Sequence, residues 1–152
     1  MMTKIKIALS IACFIGACAS AWGDEFSTKD EAVAMVKKAV AFVKKEGSEK
    51  AYAAFTAKGD FADRDLYVVV YSNDGKVLAH GSTPKLVGKD MSDAQDVDGK
   101  YYIKERLALA AKQESFWQDY KFTNPVSKKI EPKQMYCERL NDTAVCGGVY
   151  LR

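Results

Sequence analysis

Few residues in this chain are of a type and spacing that could do covalent chemistry: one histidine, His80, and four cysteines, at positions 13, 18, 137 and 146. Cys137 and Cys146 close two strand-like arms around Asn141-Asp142. If that dipeptide is a two-residue hairpin turn, position 140 lies opposite 143 and position 137 opposite 146. The cysteines then fall at a non-hydrogen-bonded pair, where antiparallel backbones come closest. That register predicts a cross-strand disulfide. Two buried thiols are the alternative, because a bulge in the turn would shift the pairing. Redox catalysis has no support, since no C-x-x-C occurs. A thiolate working with His80 would have to come from the same two cysteines. The G-x-S-x-G, H-E-x-x-H and phosphate-loop spacings are all missing. Asp96-Val97-Asp98-Gly99 matches part of a calcium loop but lacks the acidic ligand that closes one, so turn and helix-start chemistry is the better reading. The chain reads as a binding protein rather than an enzyme, with no metal and no cofactor expected.

The elements that would position a binding site centre on Asp65 to Gly81, DLYVVVYSNDGKVLAHG. Leu66, Val68 and Val70 alternate with Tyr67, Val69 and Tyr71, a β-branched and aromatic run typical of a strand. Ser72-Asn73-Asp74-Gly75 supplies the turn, and a second strand returns to His80. Both faces of the first strand are apolar or aromatic, so one should meet helices while the other walls a cavity.

Upstream, Thr28 and Glu31 form a capping box. Val33, Val36, Val40 and Val43 follow at helical spacing, with Gly47 as the stop. Lys37, Lys38, Lys44 and Lys45 lie mainly on the opposite, solvated side. Ser48 is placed to cap a second helix carrying Tyr52 and Phe55. A third helix spans about 100 to 112, and strands follow at 116–122, about 133–140 and 144–151. Helices first and antiparallel strands afterwards make the fold class α+β.

Residues 1–21 read as a secretory signal peptide: Lys4 and Lys6 precede an apolar run too short to span a bilayer, and A-x-A cleavage sites follow. Ile15-Gly16-Ala17-Cys18 also matches a lipoprotein box, which would lipidate Cys18 and anchor the protein. The remaining 24–152 form one domain, expected to be periplasmic or secreted. The whole chain has 23 basic and 20 acidic residues, and removing Lys4 and Lys6 leaves 21 against 20. That near balance offers no basic stripe for nucleic acid.

The run DLYVVVYSNDGKVLAHG, LVGKD, DGKYYIKE, FWQDYKFTNPVSKKIEPKQMY and GGVYL resembles the single Cache domain, type 2, in order and spacing over nearly the whole mature chain. The resemblance implies a PAS-like fold, an antiparallel sheet of five or six strands with a long N-terminal helix packed behind it. It also implies a small extracellular ligand on the other side of the sheet, commonly a short carboxylate, in sensory and chemotaxis signal transduction. Three departures stand out. Receptor versions continue into a membrane helix and a signalling domain, whereas this chain ends at Arg152 and is similar to a stand-alone form. Glu114-Ser115-Phe116 replaces glycines often found there, and the cysteine pair is not expected of the family.

Carried onto this sequence, the resemblance marks Lys133 as the cation for a carboxylate. It marks Tyr67, His80, Trp117, Tyr120 and Tyr136 as companions in the ligand-binding set. Strict alternation puts Tyr136 on the face opposite Lys133, and Trp117 opposite Tyr120. A bulge after Pro132 would bring Lys133 and Tyr136 together; without one, the two cannot share a pocket. The function expected is a periplasmic sensory module binding a short organic acid. The alternative is an accessory subunit docking on a membrane receptor or transporter, with or without its own ligand.

Overall fold

The capping box expected at Thr28 begins helix α1 (Lys29–Glu46). The Glu31 N–H donates to Thr28 Oγ1 at 3.3 Å, and the Thr28 N–H donates to Glu31 Oε2 at 2.6 Å. The computed structural model describes residues 26–152, so the leader, its cleavage sites and Cys18 lie outside the described residues. Ala32, Val36, Ala39, Val40 and Val43 form the buried stripe of α1, and its lysines stay in water. The chain turns at Gly47, with φ of 85°, into α2 (Ser48–Thr56). Ser48 is the first residue of α2 rather than its cap, and Gly47 takes the capping position without a side-chain bond.

The strands are β1 (Ala62–Asp63), β2 (Leu66–Ser72), β3 (Val77–His80), β4 (Ser115–Thr123), β5 (Ile130–Leu140) and β6 (Thr143–Tyr150). They make one antiparallel sheet in the order β1-β2-β6-β5-β4, with β3 also paired to β2. The fold is α+β, as the sequence predicts. Helix α3 (Tyr102–Lys112) lies between β3 and β4 in the chain. Among the described residues, no helix is long and apolar enough to cross a membrane.

Alternation along β2 divides the core in two. Val68 and Val70 pack with Val36, Val40 and Phe55 on the side of α1 and α2. Tyr67, Val69 and Tyr71 pack on the other side with Tyr102, Ile103 and Ala110 of α3. The strand is fully buried because it is covered on both faces.

Two glycines on β6 let other elements approach. A Cβ at Gly147 would sit 3.1 Å from Val36 Cγ2, so this position makes room for α1. A Cβ at Gly148 would sit 2.6 Å from the Gln134 carbonyl oxygen and 3.0 Å from Lys133 Cε, so this one makes room for the lysine stem. β5 passes through Pro132, which the sequence marks only as punctuation. The Pro132 carbonyl accepts from the Leu151 N–H at 2.8 Å. Its nitrogen faces the same side, just past the last β5–β6 pair at Lys133 and Tyr150, so the one bond that proline cannot make falls at the end of the ladder.

The hairpin arithmetic for the cysteines holds. Leu140 lies opposite Thr143 and Cys137 opposite Cys146. The two are joined in a disulfide with Cα atoms 4.1 Å apart. Asn141 takes φ of 52°, the left-handed conformation that a tight hairpin turn requires.

Candidate ligand-binding chamber

On the α3 side of the sheet, three basic side chains enter an interior closed to solvent: Arg106 from α3, Lys133 from β5 and His80 from the end of β3. Each arrives by a local rule. Arg106 lies on the buried stripe of α3 with Tyr102, Ile103 and Ala110. Lys133 alternates inward with Met135 and Cys137 along β5. His80 depends on an irregularity: Tyr71 pairs with Val77 and Val70 with Ala79, so Leu78 is the extra residue. That bulge puts Val77 and His80, three positions apart, on the same face.

Arg106 is fully buried. Its Nε–H donates to Gln118 Oε1 at 2.9 Å, while Gln118 Nε2 donates to the Tyr102 carbonyl at 2.8 Å. Gln118 thus holds both the arginine and the first turn of α3. The guanidinium carbon lies 5.0 Å from the Tyr71 ring centroid, 5.6 Å from Tyr102 and 4.9 Å from Tyr120. Nη1 and Nη2 are buried without a hydrogen-bond partner. Three cation–π contacts at about 0.5–2 kcal/mol each soften the charge. They do not replace the hydrogen bonds the two amino groups lost on leaving water, at about 1–3 kcal/mol for each unsatisfied group. The remaining deficit is what a bidentate carboxylate would remove.

Lys133 is also fully buried. Its Nζ donates to Tyr150 Oη at 3.3 Å and lies 4.0 Å from the Tyr67 ring centroid and 4.5 Å from that of Tyr150. Burial, followed by the nearby Arg106 charge, pushes its pKa well below that of an ordinary lysine, while Asp65 opposes the shift. The Asp65 carboxylate accepts from the Ser27 N–H at 2.8 Å through Oδ1, and its buried Oδ2 has no partner.

His80 stacks on Tyr67 with centroids 5.3 Å apart. Its Nδ1 accepts from the backbone N–H groups of Ser82 at 3.3 Å and Thr83 at 2.9 Å. The neutral ring then carries its proton on Nε2 and is a donor there. Burial, then the charges of Lys133 and Arg106, lower its pKa to about 3.

The six residues marked from the sequence do not all meet. Tyr67, His80, Tyr120 and Lys133 come together on the α3 side. Trp117 and Tyr136 face the α1 side, with ring centroids 5.3 Å apart. Pairing runs without a shift from Ile130 to Leu140, so no bulge follows Pro132 and strict alternation separates Tyr136 from Lys133. Trp117 is 37% exposed beneath the Lys29 ammonium. Tyr136 lines a surface groove of about 620 Å³ with Lys37, Lys44 and Glu138.

Sequence reasoning missed Arg106, Gln118 and Tyr150. A signal for Arg106 was present: with Tyr102 and Ala110 it falls at i, i+4 and i+8, an arginine on the apolar stripe of a helix. Asp96 is bound up in a turn. Its Oδ1 accepts from the Asp98 and Lys100 N–H groups, and its Oδ2 from that of Lys121 on β4. The chamber itself is not the open cavity that the sequence suggests. Tyr102 and Tyr120 stack at 4.8 Å and Phe122 lies 5.9 Å from Tyr120, so aromatic rings fill the space beside Arg106.

The family model for single Cache domain 2 matches residues 12–151. The fold is similar to that of a methyl-accepting chemotaxis protein from Vibrio parahaemolyticus RIMD 2210633, with TM-score 0.71 and 23% identity over 80% of this chain and 87% of that one. A Cache chemosensory domain solved for the structural basis of carboxylic acid recognition aligns with TM-score 0.72 and 18% identity, over 81% of this chain and 92% of its own. A periplasmic sensor domain of a chemotaxis protein aligns with TM-score 0.64 and 23% identity, over 81% and 90%. No curated protein sequence matches significantly. With the matched length and the shared sheet together, the chain belongs to the single Cache domain 2 family of sensory ligand-binding domains.

Proposed function

We propose that this domain, residues 24–152 after removal of a leader, is a periplasmic sensor that binds a short organic acid on the α3 side of its sheet. The observation that carries the reading is the buried Arg106 guanidinium, whose two amino groups lack partners. Its carboxylate-shaped fork sits among Tyr71, Tyr102 and Tyr120, with Lys133 on the same face of the sheet. A carboxylate on Nη1 and Nη2 supplies the missing acceptors, and the His80 Nε2–H and the Lys133 amine are donors for further oxygens. The similar Cache domain solved for carboxylic acid recognition supports this ligand class.

Because side chains fill the chamber, a bound acid would select a rearranged state, and a partner can read that change. Calorimetry with acetate, propionate, lactate and succinate tests the reading. At least one should bind and raise the melting temperature, and Arg106→Gln should weaken it by at least about 100-fold, the loss typical of one buried charged partner. No binding by any short acid at millimolar concentration would overturn it.

Docking on a membrane receptor or transporter remains the second reading. It draws on Trp117, 37% exposed on the terminal strand of the sheet. Cross-linking from a photoreactive residue at position 117 in cell envelopes tests it: a discrete partner supports docking, and labelling no different from an exposed helix position counts against it.

A further inference from the structure

Lys133 is not built as a salt-bridge lysine. Its Nζ is fully buried, makes one hydrogen bond at 3.3 Å to Tyr150 Oη, and forms no ion pair among the described residues. The Tyr150 hydroxyl gives its own proton to the Thr123 carbonyl at 2.8 Å, so it meets Lys133 as an acceptor. The nearest surroundings are ring faces, Tyr67 at 4.0 Å, Tyr150 at 4.5 Å and Phe122 at 6.0 Å, and the buried Asp65 carboxylate acts on the amine without forming an ion pair with it. A second cation shares the chamber. Tyr120, the register partner of Lys133, has its ring 4.9 Å from the Arg106 guanidinium. Apolar burial and a neighbouring positive charge are the two conditions that keep a lysine neutral and nucleophilic.

We propose that Lys133 captures the carbonyl carbon of a short oxo acid as a reversible imine while Arg106 holds the acid's carboxylate. This rests on the carboxylate reading above and adds a covalent bond to it. Nζ adds to the carbonyl carbon to give a carbinolamine. The carbonyl oxygen then leaves as water with the two amine hydrogens, and a C=N bond remains. No oxidant or reductant is consumed, and hydrolysis restores both partners. Once protonated, the imine places its positive charge against the Tyr67 and Tyr150 faces that already flank Nζ. Gly148 keeps the lysine stem in place, since any side chain there would meet Lys133 Cε at 3.0 Å.

Sodium borohydride reduction of the purified protein with pyruvate, and separately with acetoacetate, tests the proposal by intact mass and peptide mapping. The expected result is one adduct per chain, on Lys133, formed at least about tenfold faster than on any exposed lysine because the neutral amine is the reacting form. Saturating propionate, which has the carboxylate but no carbonyl, should suppress it, and Lys133→Met should lose it while still folding. An unmodified Lys133 in protein that binds propionate overturns the covalent step and leaves the carboxylate reading standing. Adducts spread evenly over exposed lysines overturn it as well. If neither propionate nor the oxo acids bind by calorimetry, both readings fall together.

Discussion

Tyr120 and Lys133 stand opposite each other on β4 and β5, and that register sends both side chains to the α3 side of the sheet. The next pair of the same parity, Gln118 and Met135, faces the same way, whereas Trp117 and Tyr136 face α1. A residue's parity on these two strands therefore decides whether it faces Arg106 or α1.

Trp117→Ala and Tyr136→Phe should leave ligand affinity within about twofold, since both side chains lie on the face of the sheet opposite Arg106 and Lys133. Tyr120→Ala, one face of the Arg106 cage, should weaken binding at least about tenfold, a loss in the range of a desolvated cation–π contact. Calorimetry against the best-binding acid distinguishes them. A large effect at Trp117 would move the ligand to the other face of the sheet.

Arg106→Met should bind no acid yet match or exceed the stability of the parent without ligand. A buried charge with unmet donors is a burden that an apolar side chain of similar volume relieves, by about 1–4 kcal/mol in comparable cases. Urea unfolding of both proteins without ligand gives the comparison. A clear loss of stability would mean that the tyrosine cage satisfies the guanidinium by itself.

Stability should fall with acid in a way traceable to His80. Its pKa drops from 6.5 to about 3 on folding, so between those values the unfolded chain binds a proton that the folded chain refuses. The stabilisation is complete above about 6.5 and is lost as pH falls toward 3. Up to about 3–5 kcal/mol is at stake at roughly 1.4 kcal/mol per unit of pKa shift. Denaturation at neutral pH and at mildly acidic pH, repeated with His80→Gln, should show a flatter slope in the variant.

Gly148→Ala should be the more damaging of the two β6 glycine changes. Its Cβ meets backbone, the Gln134 carbonyl oxygen at 2.6 Å, whereas that of Gly147 meets the Val36 and Leu66 side-chain ends at 3.1 and 3.4 Å. Overpacking of this kind costs about 1–3 kcal/mol. The Gly148 variant should also bind acids more weakly, because the lysine stem has to shift. Thermal melts and calorimetry read the two effects separately.

Removing the Cys137–Cys146 bond with a Cys137→Ser, Cys146→Ser pair should lower stability by about 2–3 kcal/mol, the range for a short disulfide loop. The hairpin register should survive, since it is set by the turn at Asn141-Asp142 and by β2 pairing along β6. Melting curves with and without reductant, and the amide exchange of β6, check both parts.

The amino-acid sequence by itself determined what depends on neighbours along the chain. The capping box at Thr28, the alternation on β2, the turn at Asn141-Asp142 and the cysteine register are all consequences of helix and strand periodicity, and each is observed. Alternation likewise showed that Lys133 could not share a face with Tyr136 unless a bulge intervened. Tertiary structure decided what needs several elements at once. The bulge at Leu78 that aims His80, the unbroken pairing through Pro132 and the meeting of Arg106 with tyrosines from β2, α3 and β4 have no signature in any single segment. An arginine on a helix becomes a buried cation with two unmet amino groups only when other elements close around it, and that closure is a property of the packed chain.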